Sequence, residues 1–169
     1  NKYNQALQLQ ENGNYHEARI YFYDSLEYKD TLVKFVELSN KFQSLISASI
    51  HCSARVRSNK TVAVSGNSVE QLMVNGWNDI VSISVSWSQI CGINKNGTIS
   101  IAWLDPRYEY SIPNWDSMVG ITSEIDFTIG LKKDGTVVSC GKNDEGQCNT
   151  CNWKDIIAIS SAETHVLGL

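Results

Sequence analysis

Trp77, Trp115 and Trp153 recur at a spacing of 38 residues, and Gly92, Gly130 and Gly168 keep the same spacing. Ile83, Ile121 and Ile159 follow it too, each trailed by a small hydroxyl residue: Ser84, Thr122 and Ser160. A self-similar period of this size restricts a chain to solenoids, propellers or arrays, because each unit buries its apolar face only against its neighbours. A more divergent copy begins at Ile46-Ser47, 37 residues before Ile83-Ser84. Set against Gly141 to Gln147, its missing residue falls in Gly66-Asn67-Ser68-Val69-Glu70-Gln71.

From about residue 44 onward, apolar and polar residues alternate with period 2, and Ile, Val, Thr, Ser and Trp are frequent. That pattern reads as short strands. Asn96-Gly97 and Asp134-Gly135 lie between alternating segments and predict two-residue hairpin turns, where Asn or Asp followed by Gly supplies positive φ at low cost. Around the second turn, strands run from Phe127 to Leu131 and from Thr136 to Cys140. The stretch from Trp153 to Ser160 reads as a further strand, apolar on both faces, as in a sheet stacked between other sheets. Ser82, Gly120 and Ala158 put small residues at a crowded position near an axis. Four short strands per unit, arranged radially, give the expected fold class: mainly β, a partial β-propeller of three to four blades of about 38 residues.

Residues 1–42 read differently. Tyr3, Ala6, Leu7 and Leu9 sit at near-helical spacing, Gly13-Asn14 breaks the pattern, and Tyr15, Ala18, Arg19, Phe22 and Leu26 resume it. A third amphipathic run starts at Asp30, a suitable N-cap, and carries Leu32, Val33, Phe35, Val36 and Leu38. Tyr3-x-x-Ala6-Leu7, Gly13-x-Tyr15-x-x-Ala18 and Phe22-x-x-x-Leu26 resemble the helical hairpin of tetratricopeptide repeats, in which small Ala residues let two helices approach closely. The expected division is a helical hairpin over 1–42 and a repeat region over 43–169. Leu169 falls inside a recurring strand, so the natural chain is expected to continue beyond it.

The segments Ile159-Ser160-Ser161-Ala162-x-x-His165-x-x-Gly168-Leu169, Leu131-x-x-Asp134-Gly135-Thr136-Val137 and Gly141-x-Asn143-x-x-Gly146-Gln147 together resemble repeats of the regulator of chromosome condensation family, in its short bacterial version. The resemblance covers about residues 44–169 and implies propeller blades. It also implies, by analogy, regulation of a GTPase or inhibition of another enzyme, although no residues here match a site for either. The copies differ where function is sought. The middle unit replaces the glycine loop with Ala102-Trp103-Leu104-Asp105-Pro106-Arg107-Tyr108, and the place of His165 holds Gln89 and Phe127 in earlier units.

The 14 basic and 18 acidic residues are interspersed, with a net charge of −4. Nucleic-acid binding calls for a basic stripe, which this pattern lacks; Arg55, Arg57 and Lys60 read as a solvated strand edge. No apolar run reaches the roughly 20 residues that span a bilayer, so no membrane insertion is expected. Five cysteines at irregular spacing suit reduced thiols and favour a cytoplasmic over a secreted setting. Cys148-x-x-Cys151 is the one metal-like spacing, but a structural zinc takes four ligands, and the pair reads as variable loop positions. His16, His51 and His165 stand at no recurring distance from a Ser, Asp or Cys that would complete a triad. Asp134, Asp144 and Glu145 read as turn residues, and the loop from Gly141 to Gln147 does not match a phosphate cradle. The expectation is a non-enzyme without cofactor.

Exact recurrence assigns Trp77, Trp115 and Trp153, with Gly92, Gly130, Gly168, Asp134 and Gly135, to blade building. Trp87, Trp103, Tyr108 and Tyr110 lie outside the pattern and are the expected contact residues, since aromatics dominate binding hot spots. The loop rims 69–75, 105–110 and 148–152 differ most between units. The expected function is a protein–protein interaction or scaffold module. The alternatives are a carbohydrate-binding or cell-surface module, with Trp and Tyr stacking on sugars, and an enzyme or GTPase regulator by family analogy.

Overall fold

Each repeat folds as an antiparallel sheet in a computed structural model of the chain, which describes residues 2–14, 17, 18, 21, 45–66 and 68–169. The chain divides into two compact units, Asn1–Gln43 and Ser44–Leu169.

In the first unit, helix α1 spans Lys2–Glu11. Gly13, at φ 77°, ends it. The Gly13 N–H bonds the Gln10 carbonyl at 3.1 Å and the Asn14 N–H bonds the Leu9 carbonyl at 2.8 Å, the paired closure that a left-handed residue allows. Ala6 and Ala18 are fully buried against each other, with Tyr3, Leu7, Leu9 and Tyr21 around them. Most of the second predicted helix and all of the third lie outside the described residues.

In the second unit, β1 (Ile46–Ala48), β2 (Ser53–Val56) and β3 (Val62–Ser65) form one sheet. Helix α2 (Ser68–Met73) follows. The next sheet is β4 (Ile80–Val85), β5 (Gln89–Asn94) and β6 (Ile99–Trp103), and the third is β7 (Met118–Ser123), β8 (Phe127–Lys132) and β9 (Val137–Gly141). A two-stranded sheet, β10 (Ile159–Ala162) with β11 (His165–Gly168), comes last. Among the described residues the sheets have at most three strands rather than the expected four. Helix α2, a 3₁₀ helix at Pro106–Tyr108 and the turns after Gly141 take the place of a fourth strand. Pro106 and Pro113 lack the N–H that a ladder needs, and the Gly141 to Gln147 loop bonds within itself.

The hairpin tips also differ from expectation. The Asn94 N–H bonds the Thr98 carbonyl and the Lys132 N–H bonds the Thr136 carbonyl, so each loop holds three residues. Only the last of the three has positive φ: 65° at Lys60, 83° at Gly97, 81° at Gly135. The residue before it, Asn59, Asn96 or Asp134, turns its side-chain oxygen onto the N–H of the following threonine, at 3.2, 3.1 and 3.0 Å. It also accepts from that threonine's hydroxyl, at 2.7, 2.7 and 2.6 Å. A side chain that caps its own backbone two residues on stabilises the type I turn that a left-handed third residue closes.

These tips staple one sheet to the next. The carbonyls of Lys60, Gly97 and Gly135 accept the N–H groups of Ile80, Met118 and Ile156, each at 3.0 Å. Just before those donors, Asp79, Ser117 and Asp155 sit at φ 55°, 58° and 58°. That bend explains why the recurring tryptophans precede their strands instead of starting them. The chain turns back after each Trp and lays its ring over the middle strand. A Cβ on Gly92 would come 3.0 Å from the Trp77 ring, on Gly130 3.0 Å from that of Trp115, and on Gly168 2.7 Å from that of Trp153.

The first strands of successive sheets pack side by side, β1 on β4, β4 on β7, β7 on β10, which orders the sheets as in a propeller. Ser47 Oγ accepts the Val85 N–H at 2.9 Å, Ser84 Oγ accepts the Ser123 N–H at 3.0 Å, and Thr122 Oγ1 pairs with Ser161 Oγ at 2.6 Å. Apolar side chains fill the spaces between sheets: Val62, Ile80 and Ile90 in the first, Ile93, Trp115 and Met118 in the second, Phe127, Ile129 and Ile159 in the third.

Candidate functional site

One end of every sheet is the turn from its first to its second strand. At the same position of this turn stand Ile50, Trp87, Ile125 and Glu163. Between copies the framework is constant and this position is not. Ile50 is 83% exposed, and Trp87 is half-buried. The Trp87 ring lies 5.2 Å from that of Tyr108, edge-on at 82°, and 5.8 Å from the imidazole of exposed His51. Tyr108 is presented there by the 3₁₀ helix, whose N-cap, Asp105, accepts the Arg107 N–H at 3.0 Å. Asp105 also takes the Arg107 guanidinium, with a shortest contact of 2.6 Å. The guanidinium carbon sits 5.9 Å from the centre of the Tyr108 ring. Hydrogen bonds from Arg107 hold the Asp105 carboxyl below its usual range.

Trp103 and Tyr110 form a second pair, 4.8 Å apart at 72°. Tyr110 is tied inward. Its hydroxyl accepts Gln89 Nε2 at 2.7 Å and pairs with Thr128 Oγ1 at 2.6 Å. Gln89 is completely buried, and its Nε2 also approaches the Glu124 carbonyl and Thr128 Oγ1, both at 3.1 Å. Burial holds the Tyr110 hydroxyl well above its ordinary range despite these bonds, and pushes the neighbouring Cys91 thiol up to about 12. The four aromatics outside the repeat thus form two separate pairs. Trp87 and Tyr108 face the rim, and Tyr110 anchors the connection between the second and third sheets.

The rim continues without a break. Ser88 Oγ donates to the Ile125 carbonyl, joining the aromatic turn to the turn 124–126. Glu124 Oε1 accepts Ser161 Oγ at 3.0 Å, joining that turn to the last sheet. Burial raises the Glu124 carboxyl above its ordinary value; the Ser161 bond lowers it, and the charges of Glu163 and Asp126 raise it further. Lys142 reaches Asp126 at 3.6 Å and Asp144 at 3.5 Å.

The remaining sequence candidates lie elsewhere. Cys148 is half-buried, its thiol directed to the Lys142 carbonyl at 3.3 Å and its N–H to Asn143 Oδ1 at 2.8 Å, while Cys151 is exposed. Among the described residues, no three of His, Cys, Asp and Glu are grouped to hold a metal. The Gly141 to Gln147 loop is closed on itself: Gln147 Oε1 accepts the Glu145 N–H at 3.0 Å and Asn143 Nδ2 bonds Asn149 Oδ1 at 3.0 Å. Of the variable stretches, 69–75 is largely helix α2, whose Gln71 caps the Val64 N–H at 2.9 Å. His51, Ile50 and Glu124 were not singled out from sequence. Aligning the turn position 50, 87, 125, 163 would have exposed the first two.

Residues 125–147 match the model of the regulator of chromosome condensation (RCC1) repeat. The ectodomain of the Physcomitrella patens receptor kinase CR4 is similar over 73% of this chain and 36% of its own, with a TM-score of 0.55 at 17% identity. The CRINKLY WD40 ectodomain of the Arabidopsis thaliana receptor kinase ACR4 is similar over 57% of this chain and 36% of its own, with a TM-score of 0.50 at 15% identity. Prp20p of Saccharomyces cerevisiae, whose structure was described with its binding to Gsp1p and histones, aligns over 61% of this chain and 31% of its own, with a TM-score of 0.45 at 13% identity. No curated protein matches the sequence. The chain therefore spans 36% of the length of the first two structures it resembles. Three-stranded sheets stapled in series give this chain a propeller-like fold, and its third sheet carries the stretch that matches the RCC1 repeat.

Proposed function

We propose that the repeat unit is a non-catalytic protein-interaction module that binds its partner through the rim carrying Trp87 and Tyr108. The observation that carries this reading is the aromatic pair itself: it is half-exposed, lies beside Ile50 and His51, and takes no part in the packing that repeats from sheet to sheet. Exposed aromatics on a rigid scaffold are the side chains that anchor protein interfaces. The Trp87 and Tyr108 rings meet edge-on, an arrangement that suits an inserted side chain better than a flat sugar. The repeat region 43–169 is proposed as the binding domain, with the segment 1–42 as a helical accessory to it.

A pulldown comparing the parent chain with the double variant Trp87→Ala/Tyr108→Ala tests the reading. Proteins enriched by the parent are lost from the variant, which still unfolds in one cooperative transition a few degrees lower. Equal capture by both refutes the assignment, and retention on a glycan array that the variant abolishes would replace it with the carbohydrate module. Whether a captured partner is an enzyme or a GTPase follows from its identification by mass spectrometry.

A further inference from the structure

We propose that the continuous rim from Ile50 to Glu163 docks an extended segment of a protein partner in which an apolar or aromatic anchor is followed by Lys and Arg residues. The inference rests on the interaction reading above and specifies the chemistry of its partner.

The rim has two ends of different character. At the first, Ile50, His51, Trp87 and Tyr108 offer apolar and aromatic surface, and Arg107 beside Tyr108 is paired with Asp105. At the other, Glu124, Asp126 and Glu163 gather on adjacent turns. Lys142 is shared between Asp126 and Asp144, and no lysine or arginine pairs with Glu124 or Glu163 among the described residues. His165 is the basic group facing Glu124, and Ser161 donates to it. The mutual repulsion of Glu163 and Asp126 with Glu124 is a cost the chain carries within itself. A cationic segment would relieve it, whereas an acidic one would add to it. The Ser88 to Ile125 bond places the two ends on one path, so a single extended segment can meet both. The anchor supplies affinity against the aromatic pair, and the basic residues supply orientation and rate of association.

The test titrates the isotope-labelled full chain with three synthetic peptides: a Trp-Leu anchor followed by alternating Lys and Arg, the same anchor followed by Glu, and the Lys/Arg run without an anchor. Trp→Phe variants at each tryptophan assign the indole signals. The expected result is a shift of the Trp87 indole with the first peptide alone. Its affinity falls about threefold for each of Glu124→Gln and Glu163→Gln, as for a part-exposed ion pair, and falls further with added salt. Equal binding of the acidic peptide, binding of the run without an anchor, shifts confined to the hairpin tips, or no shift at millimolar peptide each overturn the proposal. If the Trp87/Tyr108 variant still loses its captured protein when the peptides fail, the interaction reading stands and only the partner chemistry falls.

Discussion

Replacing Gly141 by Ala tests the close backbone approach at the end of the third sheet. Gly141 sits at φ 104°, where a side chain is strained in any surroundings. A Cβ would also lie 2.2 Å from the Asp126 carbonyl oxygen and 2.6 Å from the Phe127 Cα, both backbone atoms that cannot swing aside. Gly141 pairs with Phe127, whose ring is completely buried in the third core, and Lys142 bonds the same Asp126 carbonyl at 2.8 Å. Backbone strain costs about 1–2 kcal/mol. Forcing the end of β8 away from its packing adds about 1–3 kcal/mol, as for overpacked cores. The sum, roughly 2–5 kcal/mol, is a large share of the roughly 5–15 kcal/mol available to a domain. Gly146→Ala is the matched control: its φ is also positive, 83°, but a Cβ there meets only the Asn149 side chain, at 3.0 Å. Urea denaturation of both variants should show Gly141→Ala losing at least twice as much stability. Equal losses, or a Gly141→Ala loss below about 1 kcal/mol, would mean that the loop can shift, and the close-approach reasoning fails.

Ser82→Ala should stabilise the protein by about 1 kcal/mol, read from the denaturation midpoint, because Ser82 is buried and its Oγ has no hydrogen-bond partner among the described residues. Lys60→Gly should raise stability by a similar amount, about 1 kcal/mol, since Lys60 holds at φ 65° the place that glycine takes in the other tips. Glu124 has a carboxyl raised chiefly by burial, so the stability it contributes is present below its ordinary value, near 4.5, and is lost as pH rises through the higher folded value. Glu124→Gln should therefore melt higher than the parent at neutral pH and converge with it in acid; a constant difference across a pH series of melting curves would contradict this.

Much of the framework can be read from the residues because each feature recurs for a local reason. Trp and Gly stay 15 residues apart in every copy since the ring needs a bare strand beneath it, as Trp115 over Gly130 shows. The Asn/Asp-x-Thr tips survive even where Lys60 has replaced the glycine, since the side chain bonds its own turn. The number of strands was less legible. Alternation in the connecting stretches looks the same whether or not a neighbouring strand accepts the hydrogen bonds, and Pro106 and the self-closed loop at Gly141 decide that it does not. The hydroxyls Ser47, Ser84 and Thr122 are visible as a pattern, but their bonds to the next sheet depend on how far apart the first strands lie. The candidate site was half legible for the same reason. Departure from the repeat flagged Trp87, Trp103, Tyr108 and Tyr110 together, yet only the fold separates the Tyr110 hydroxyl, spent on Gln89 and Thr128, from the rim pair. Glu124 joins the site through long-range contacts that no spacing in the chain reveals.

The claim that repeated positions build this protein and divergent positions bind is tested most directly by comparing the unfolding free energies of Trp115→Ala and Tyr108→Ala. Trp115 is buried against Gly130, Ile93 and Met118, so its loss should cost about 3–5 kcal/mol. Tyr108 touches Trp87 at the rim, and its loss should cost about 1 kcal/mol, the scale of one aromatic pair. Comparable losses for the two would place Tyr108 in the core and contradict the account.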